Sequence, residues 1–341
     1  MNVFKSPGLE LNDMGYMRQA DHMLNVIWTG YSFTEPFNIF RSVNLNNDVF
    51  VSSDFGGEVN GIGYEYNLNG YFKNFWNAGV GGGFDFKEVS TTMLRGGPSM
   101  LMPNSSRMYL NLGTDDRKVI SADFFGSGHW GASDNCMRWS YDLELTARPF
   151  NTLSISLNPS YMDQYDILQY VSTEEMAGED RYIFAHIDQK VLSMSLRVNY
   201  NIMPDLTIQY WGQPFIACGE YSGYKMITDP HAEVFQDRYR EFTMDQMTLE
   251  DEEYFIDENR DGVSDYSFEV PDFTLDEWLS NLVIRWEFLP GSTAYLVWSQ
   301  TRDYFDSSGA FEVMDNVDRL FTDKKASNTF LLKVSYRIGL R

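Results

Sequence analysis

The acidic stretch "DENRDGVSDY", residues 257–266, has the clearest spacing for binding chemistry in this sequence. Ca²⁺ takes about six to eight oxygen ligands, and short oxygen-bearing side chains at alternate positions around a glycine turn supply several of them. Gly262 stands where a calcium loop turns sharply. The candidate ligands, the fourth of them through its main-chain carbonyl, are Asp257, Asn259, Asp261, Val263 and Asp265.

This stretch departs from the helix–loop–helix calcium motif. Phe268 stands where that motif has its bidentate Glu, Glu269 comes one residue late, and no helical pattern flanks the loop. Two interpretations therefore stay open. Either the loop binds Ca²⁺ and orders the long acidic segment 219–277, or it is an acidic turn that binds no metal. No other cofactor is predicted.

A second group of charged residues lies in stretches where polar and apolar side chains alternate, so these charges share the polar face of strands. They either line a path for a solute or form ion-paired networks, since charges away from water need partners. Arg95 of "RGGP" suits an anion-binding nest or a tight turn at a rim. The full set is Arg95, Arg138, Asp142, Glu144, Arg197, Arg285, Glu287, Lys333 and Arg337.

The elements that position these residues are β-strands. In "VLSMSLRVNYNI", residues 191–202, apolar and polar residues alternate, and "NTFLLKVSYRIGLR", residues 328–341, repeats the pattern. Helical spacing is scarce, so the sequence predicts an all-β fold. The predicted strands are 22–34, 39–54, 58–68, 74–88, 106–113, 118–127, 136–147, 152–163, 183–202, 205–218, 278–289, 293–303 and 328–340.

Alternation alone does not say whether the apolar face meets a protein core or lipid. Three features favour lipid. Most strands run about ten to twelve residues, which matches a tilted bilayer crossing. Aromatic residues such as Tyr200 and Trp286 stand at strand ends. Short turns alternate with long polar segments near 163–182, 219–277 and 303–326. We therefore predict an antiparallel transmembrane β-barrel with long extracellular loops; a soluble β-sandwich or solenoid is the alternative.

Charge and strand number narrow this prediction. A net charge of −23 argues against nucleic acid as a partner, because phosphate binders need an excess of Lys and Arg. No apolar run approaches the about 18 residues of a membrane helix. About thirteen strands is an odd number, whereas bacterial single-chain barrels have an even one, and the start lacks a signal-peptide pattern. These features predict that residues 1–341 form the carboxy-terminal part of one larger barrel domain.

Five stretches of the sequence carry a family resemblance: "SPGLELNDMGYMRQADHM" (6–23), "LRGGPSMLMP" (94–103), "YWGQPFIACGEYSGYK" (210–225), "NLVIRWEFLPGSTAYLVWSQTR" (281–302) and "NTFLLKVSYRI" (328–338). They resemble an outer-membrane family of Bacteroidota that carries the label domain of unknown function 5916. Its members typically have a signal peptide, a family 9-type carbohydrate-binding-like domain and a large barrel. The resemblance implies the later barrel region, and it supplies no established activity; glycan binding by the upstream domain does not transfer to these residues.

The expected function is that of a bacterial outer-membrane protein in contact with outer-membrane lipid. It would bind or pass an extracellular ligand, a glycan or another polymer, at the cell surface. A partner within an envelope protein complex is the alternative, and an outer-membrane hydrolase is the second alternative. No HExxH, GxSxG or glycine-rich phosphate loop occurs, so no catalytic residue is predicted.

Overall fold

The computed structural model describes residues 1–11, 17, 19–322 and 325–339. Within these residues, regular structure other than strand is limited to helix α1 (Val313–Thr322) and two short 3-10 helices, Ala132–Asp134 and Phe235–Arg238. The strands are β1 (Asn2–Lys5), β2 (His22–Phe33), β3 (Phe40–Ser53), β4 (Val59–Phe72), β5 (Asn77–Ser90), β6 (Met100–Met102), β7 (Ser105–Gly113), β8 (Ile120–Gly131), β9 (Cys136–Phe150), β10 (Leu153–Met176), β11 (Glu179–Met203), β12 (Leu206–Ile227), β13 (Tyr239–Glu241), β14 (Met247–Glu250), β15 (Glu253–Ile256), β16 (Tyr266–Glu269), β17 (Phe273–Leu289), β18 (Ser292–Asp306) and β19 (Ser327–Ser335).

One large antiparallel sheet of 16 strands contains all of these except β14, β15 and β16, which form a separate three-stranded sheet. Its long strands pair in sequence order, as hairpin connections dictate. β1 and β19 are its edges, and no pairing in the described residues joins them, so this sheet is not closed into a barrel. The predicted all-β, antiparallel fold is confirmed. Barrel closure, total strand number and membrane insertion stay predictions.

Each predicted strand overlaps one long strand of the large sheet, from 22–34 with β2 to 328–340 with β19. The predicted strand 328–340 extends beyond the observed one, because β19 ends at Ser335. Residue 340 lies outside the described residues. None of the helices in the described part of the chain is long and apolar enough to cross a membrane.

The prediction of a loop at 163–182 is wrong. β10 runs on to Met176 and β11 begins at Glu179, with Ala177 and Gly178 in left-handed conformations forming the tight turn. The segment 219–277 is also shorter as a loop than predicted, because β12 continues to Ile227 and β17 begins at Phe273. These extensions mix polar residues with apolar ones that pack against the loops, and cross-strand pairing keeps them in strands.

The connections differ in length between the two ends of the strands. At the end that we call the short-turn edge, they occupy residues 34–39, 73–76, 114–119, 151–152, 204–205 and 290–291. At the other end, the long-loop edge, the connections include 91–104, 228–272 and 307–326. The predicted asymmetry between short turns and long loops is therefore present in the fold.

One face of the large sheet is apolar and uncovered. Phe330 is 71% and Leu332 72% exposed, although a soluble protein seldom leaves a large contiguous apolar patch in water. Side chains that pair across adjacent strands make this face continuous on β3, β4, β5 and β7: Leu45, Leu68, Val80 and Leu110. The same face continues on β17, β18 and β19: Leu282, Trp298 and Phe330.

The buried apolar clusters lie at the long-loop edge, where loops pack against the extended ends of β10, β11 and β12. The first cluster includes Ile183 together with Ile256 and Phe268 of the three-stranded sheet. The second includes Phe184 together with Leu94 of the 91–104 loop. Because Ile183 and Phe184 are neighbours on one strand, the two clusters share β11 as their support.

Helix α1 is held against β17 and β18 near the same edge. Asp276 on β17 is fully buried and accepts a hydrogen bond of 2.8 Å from Asn316 Nδ2 of the helix. Arg319 lies 3.4 Å from Asp276 and 3.6 Å from Asp306. Burial raises the pKa of Asp276, while the Asn316 hydrogen bond and Arg319 oppose that rise. Buried charge of this kind is stable only with such partners.

Candidate functional site

The polar face of the large sheet carries an ion-paired cluster that spans three strands. Arg107 on β7 forms ion pairs with Glu65 on β4 and with Asp85 on β5. Gly83 stands between Glu65 and Arg107 in the cross-strand register, and a Cβ there would lie 3.1 Å from Arg107 Nε. The missing side chain therefore lets the guanidinium reach across β5.

The predicted polar residues of β9 lie on the same face. Arg138 Nε donates a hydrogen bond of 2.7 Å to Gln164 Oε1 of β10. Asp142 and Glu144 line a cavity of about 300 Å³ together with Asp123 of β8. The structure thus brings Asp142 and Glu144 together, and separates them from the ion pairs of Arg107.

The remaining predicted polar residues are spread over the sheet and its rims. Arg285 Nη2 and Glu287 Oε2 of β17 form an ion pair of 2.9 Å. Arg95, in the 91–104 loop, has its guanidinium 4.1 Å from the ring centre of Tyr170. Three more are placed by the sheet register or by a main-chain hydrogen bond: Arg197 pairs with Ser156, Lys333 with Tyr295, and Arg337 N donates to Ser292 Oγ.

The calcium-loop candidates turn their oxygens toward main-chain N–H groups. Asp257 accepts from the N–H of Asp261 and of Gly262, at 3.1 and 2.7 Å. Asp261 accepts from Val263 N at 2.9 Å, and Asp265 accepts from Glu258 N at 2.8 Å. Asn259 Oδ1 likewise accepts from Asp261 N at 2.8 Å. Within the described residues, no three His, Cys, Asp or Glu side chains are grouped so as to hold a metal ion. Calcium binding stays a prediction.

A cleft lined by aromatic rings and carboxylates lies where the apolar face ends toward the long-loop edge. The last apolar row across β9, β10 and β11 is Tyr141, Tyr161 and Leu192; the next row toward the long-loop edge is Trp139, Asp163 and Lys190. The cleft has a volume of about 460 Å³. Its aromatic and acidic lining residues are Trp130, Trp139, Tyr165, Asp134, Asp163 and Asp188.

Neighbouring contacts fix the orientation of the cleft's rings. Trp130 and Trp139 stack with their ring centres 6.3 Å apart and their planes inclined by 24°. Tyr165 meets His186 edge to face at 4.3 Å, and His186 Nε2 lies 3.4 Å from Asp188 Oδ2. The rings are therefore set in place before any ligand arrives, which lowers the entropic cost of binding.

Such a lining suits a polyhydroxylated ring. Trp and Tyr offer large, rigid apolar faces for C–H groups, while carboxylate oxygens accept hydrogen bonds from hydroxyls. In the sequence, Trp139 belongs to the apolar register of the alternating stretch 138–148, and that pattern gives no sign of a cleft. The sequence signal for the cleft is an outward-facing Trp whose partner on the neighbouring strand is an outward-facing Asp, as Trp139 and Asp163 are.

Fold and cleft define a class of protein: a large antiparallel β-sheet with one uncovered apolar face and, at its long-loop end, a cleft lined by aromatic rings and carboxylates. The chain belongs to the family described as "Domain of unknown function (DUF5916)", which matches residues 2–340. This confirms the family resemblance noted in the sequence.

Two further comparisons add little. No curated protein matches the chain. Among solved structures, a chain titled "NanC porin structure in rhombohedral crystal form" aligns at 12% identity, covering 92% of this chain and 99% of that chain, with a TM-score of 0.24. A likeness at this TM-score supports no conclusion about function.

Proposed function

We propose that this protein is an outer-membrane β-protein that binds an extracellular saccharide at the cleft of Trp130, Trp139 and Asp163. The observation that carries the proposal is the composition of the cleft: stacked indoles and several carboxylates line one cavity of about 460 Å³. A cavity of this size and mixed polarity lies within the usual range for small-molecule sites, about 300–1,000 Å³.

The apolar face supports the membrane part of the proposal. It runs across adjacent strands, it is uncovered, and short turns border it at one end while long loops border it at the other. Lipid would cover such a face without a second protein layer, and outer-membrane barrels have this arrangement of turns and loops. The cleft then lies at the level of the outer leaflet's head groups, within reach of extracellular sugars.

The test is saccharide binding by the purified protein in lipid nanodiscs. A panel of oligosaccharides is screened first, and calorimetry then measures the affinity of the best one for the wild type and for Asp163→Asn. Losing one charge-assisted hydrogen bond should weaken binding by about 1.5–3 kcal/mol, or about 10- to 150-fold. Trp286→Ala, which removes an exposed Trp near the short-turn edge, is the control and should bind as the wild type does.

Two results would count against saccharide binding at the cleft. One is that no oligosaccharide in the panel binds; the other is that Trp286→Ala weakens binding as much as Asp163→Asn. A repeat in nanodiscs with and without lipopolysaccharide identifies the source of the sugar. Competition by lipopolysaccharide would mean that the cleft takes sugars of the outer leaflet itself, rather than a free glycan.

A further inference from the structure

A basic cluster at the short-turn edge has no part in the saccharide cleft. The turns 73–76 and 114–119 lie side by side because Asn77 of β5 pairs with Gly113 of β7. Between them is a cavity of about 540 Å³, and its basic lining residues are Lys73, Arg117 and Lys118. Arg41 lies close by, with its guanidinium 5.2 Å from the ring centre of Phe75. This is a local concentration of cations in a chain whose net charge is −23.

Arg117 is held in place by its neighbours. Its Nε and Nη2 donate to the two carboxylate oxygens of Asp115, both at 2.8 Å, and its guanidinium lies 3.3 Å from the ring centre of Phe75. The hydrogen bond from Arg117 lowers the pKa of Asp115 to about 2. Both oxygens of this buried carboxylate are thus taken by one arginine.

Lys73 and Lys118 have no such partner. Both line the cavity and are exposed, and in the described part of the chain neither ammonium lies within ion-pair distance of a carboxylate. Ammonium groups that line one cavity repel each other, and an anion bound in the cavity relieves that repulsion. The cavity therefore has positive charge to offer, whereas the long-loop cleft has negative charge.

The cavity is continuous with the apolar face. Trp76 and Ile120, which also line it, are 50% and 70% exposed. Ile120 pairs with Ala147, and Ala122 pairs with Leu145, so the lining joins the outward apolar register of β8 and β9. Trp at the end of an apolar face next to Lys and Arg is the usual arrangement at a membrane–water interface.

We propose that this cavity binds the anionic phosphodiester head group of a phospholipid in the periplasmic leaflet, with the acyl chains lying along the apolar face. Lys73 and Lys118 contact the phosphate as point charges. Phe75 and Asp115 hold Arg117 at the cavity wall. The inference shares only membrane insertion with the proposed function, and does not depend on saccharide binding.

The test compares lipids retained by the protein. Wild type, Lys73→Gln/Lys118→Gln and the control Lys5→Gln/Lys87→Gln are reconstituted into vesicles of phosphatidylcholine with a minor share of phosphatidylglycerol. They are then extracted into detergent, and native mass spectrometry counts the bound lipids. The control removes the same charge from strands β1 and β5 near the long-loop edge. The site variant should retain phosphatidylglycerol about 30-fold more weakly than the wild type or the control, since each lysine near a lipid surface contributes about fivefold.

Three results would overturn the proposal. The first is equal retention by the site variant and the control. The second is a wild type that retains phosphatidylcholine as well as phosphatidylglycerol. The third is displacement of phosphatidylglycerol by inorganic phosphate, which would make this a site for free anions. Insertion into vesicles without a lipid preference refutes this inference alone, whereas failure to insert refutes the membrane part of the proposed function.

Discussion

An arginine placed on the apolar face should reveal whether that face meets lipid. Leu196 on β11 pairs with Leu157 and Gly212, on the apolar face, while Ser195 pairs with Asn158 on the polar face. Leu196 lies seven residues from Met203, the end of β11 at the short-turn edge. At about 3.3 Å per residue and a tilt of about 45°, that is about 16 Å, near the middle of a hydrocarbon layer of about 30 Å.

The expected costs follow from this depth. Leu196→Arg should lower the free energy of unfolding by about 2–4 kcal/mol, because the guanidinium would lie at the bilayer midplane. Ser195→Arg should change it by about 0.5 kcal/mol or less, as for a solvated surface site. Ile202→Arg, on the apolar face but one residue from the end of β11, should cost about 0–1 kcal/mol.

The assay is equilibrium unfolding by denaturant from lipid vesicles, monitored by tryptophan fluorescence. The diagnostic result is the order of the losses in unfolding free energy. The loss should be largest for the substitution at residue 196, clearly smaller at residue 202, and near zero at residue 195. Equal effects at 195 and 196 would refute the assignment of the two faces. Equal effects at 196 and 202 would refute lipid as the covering medium, because a protein core has no dependence on membrane depth.

Two further predictions concern the loops and the turns. Ca²⁺ should protect the 228–272 loop from protease in the wild type but not in the double variant Asp257→Ala/Asp261→Ala. If Ca²⁺ protects neither protein, or protects both equally, the loop does not bind calcium through these residues. In the 114–119 turn, the pKa of Asp115 is lowered from 3.8 to about 2. Its ionised form therefore stabilises the fold above about pH 4, and this stabilisation is lost as the pH falls toward 2. The difference in unfolding midpoint between wild type and Asp115→Asn should therefore be constant above pH 5 or so and should shrink below pH 4; a difference that does not change with pH would contradict the assignment.

The strands of the large sheet were predictable because their signal is local. Alternating residues such as those of 191–202 are half apolar and half polar over the whole strand, and the sheet register keeps that order. The signal fails where strands extend beyond the apolar face. In β10 the register shifts between Asp166 and Gln169, and again between Tyr170 and Ser172. Each shift breaks the period-two pattern, so the extension to Met176 looked like a loop.

The candidate sites were harder to predict because their members are far apart in the chain. Glu65 and Arg107 are 42 residues apart, and only the pairing of β4, β5 and β7 brings them together. The cleft likewise joins residues of β8, β9, β10 and β11. No spacing in the sequence encodes such a meeting. The calcium loop was visible from the sequence because its candidate ligands all lie within residues 257–265.

The shared position of Ile183 and Phe184 has a consequence for how the surface of this protein can change over evolutionary time. Both residues are fully buried. Ile183 packs against the three-stranded sheet, and Phe184 packs against the 91–104 loop. A sequence change in the 91–104 loop must keep the space around Phe184 filled, and one in the three-stranded sheet must do the same around Ile183. These loops are thus not free to diverge as ordinary surface loops do. We expect substitutions among relatives to concentrate on their outward side chains, and those that face β11 to vary together with it.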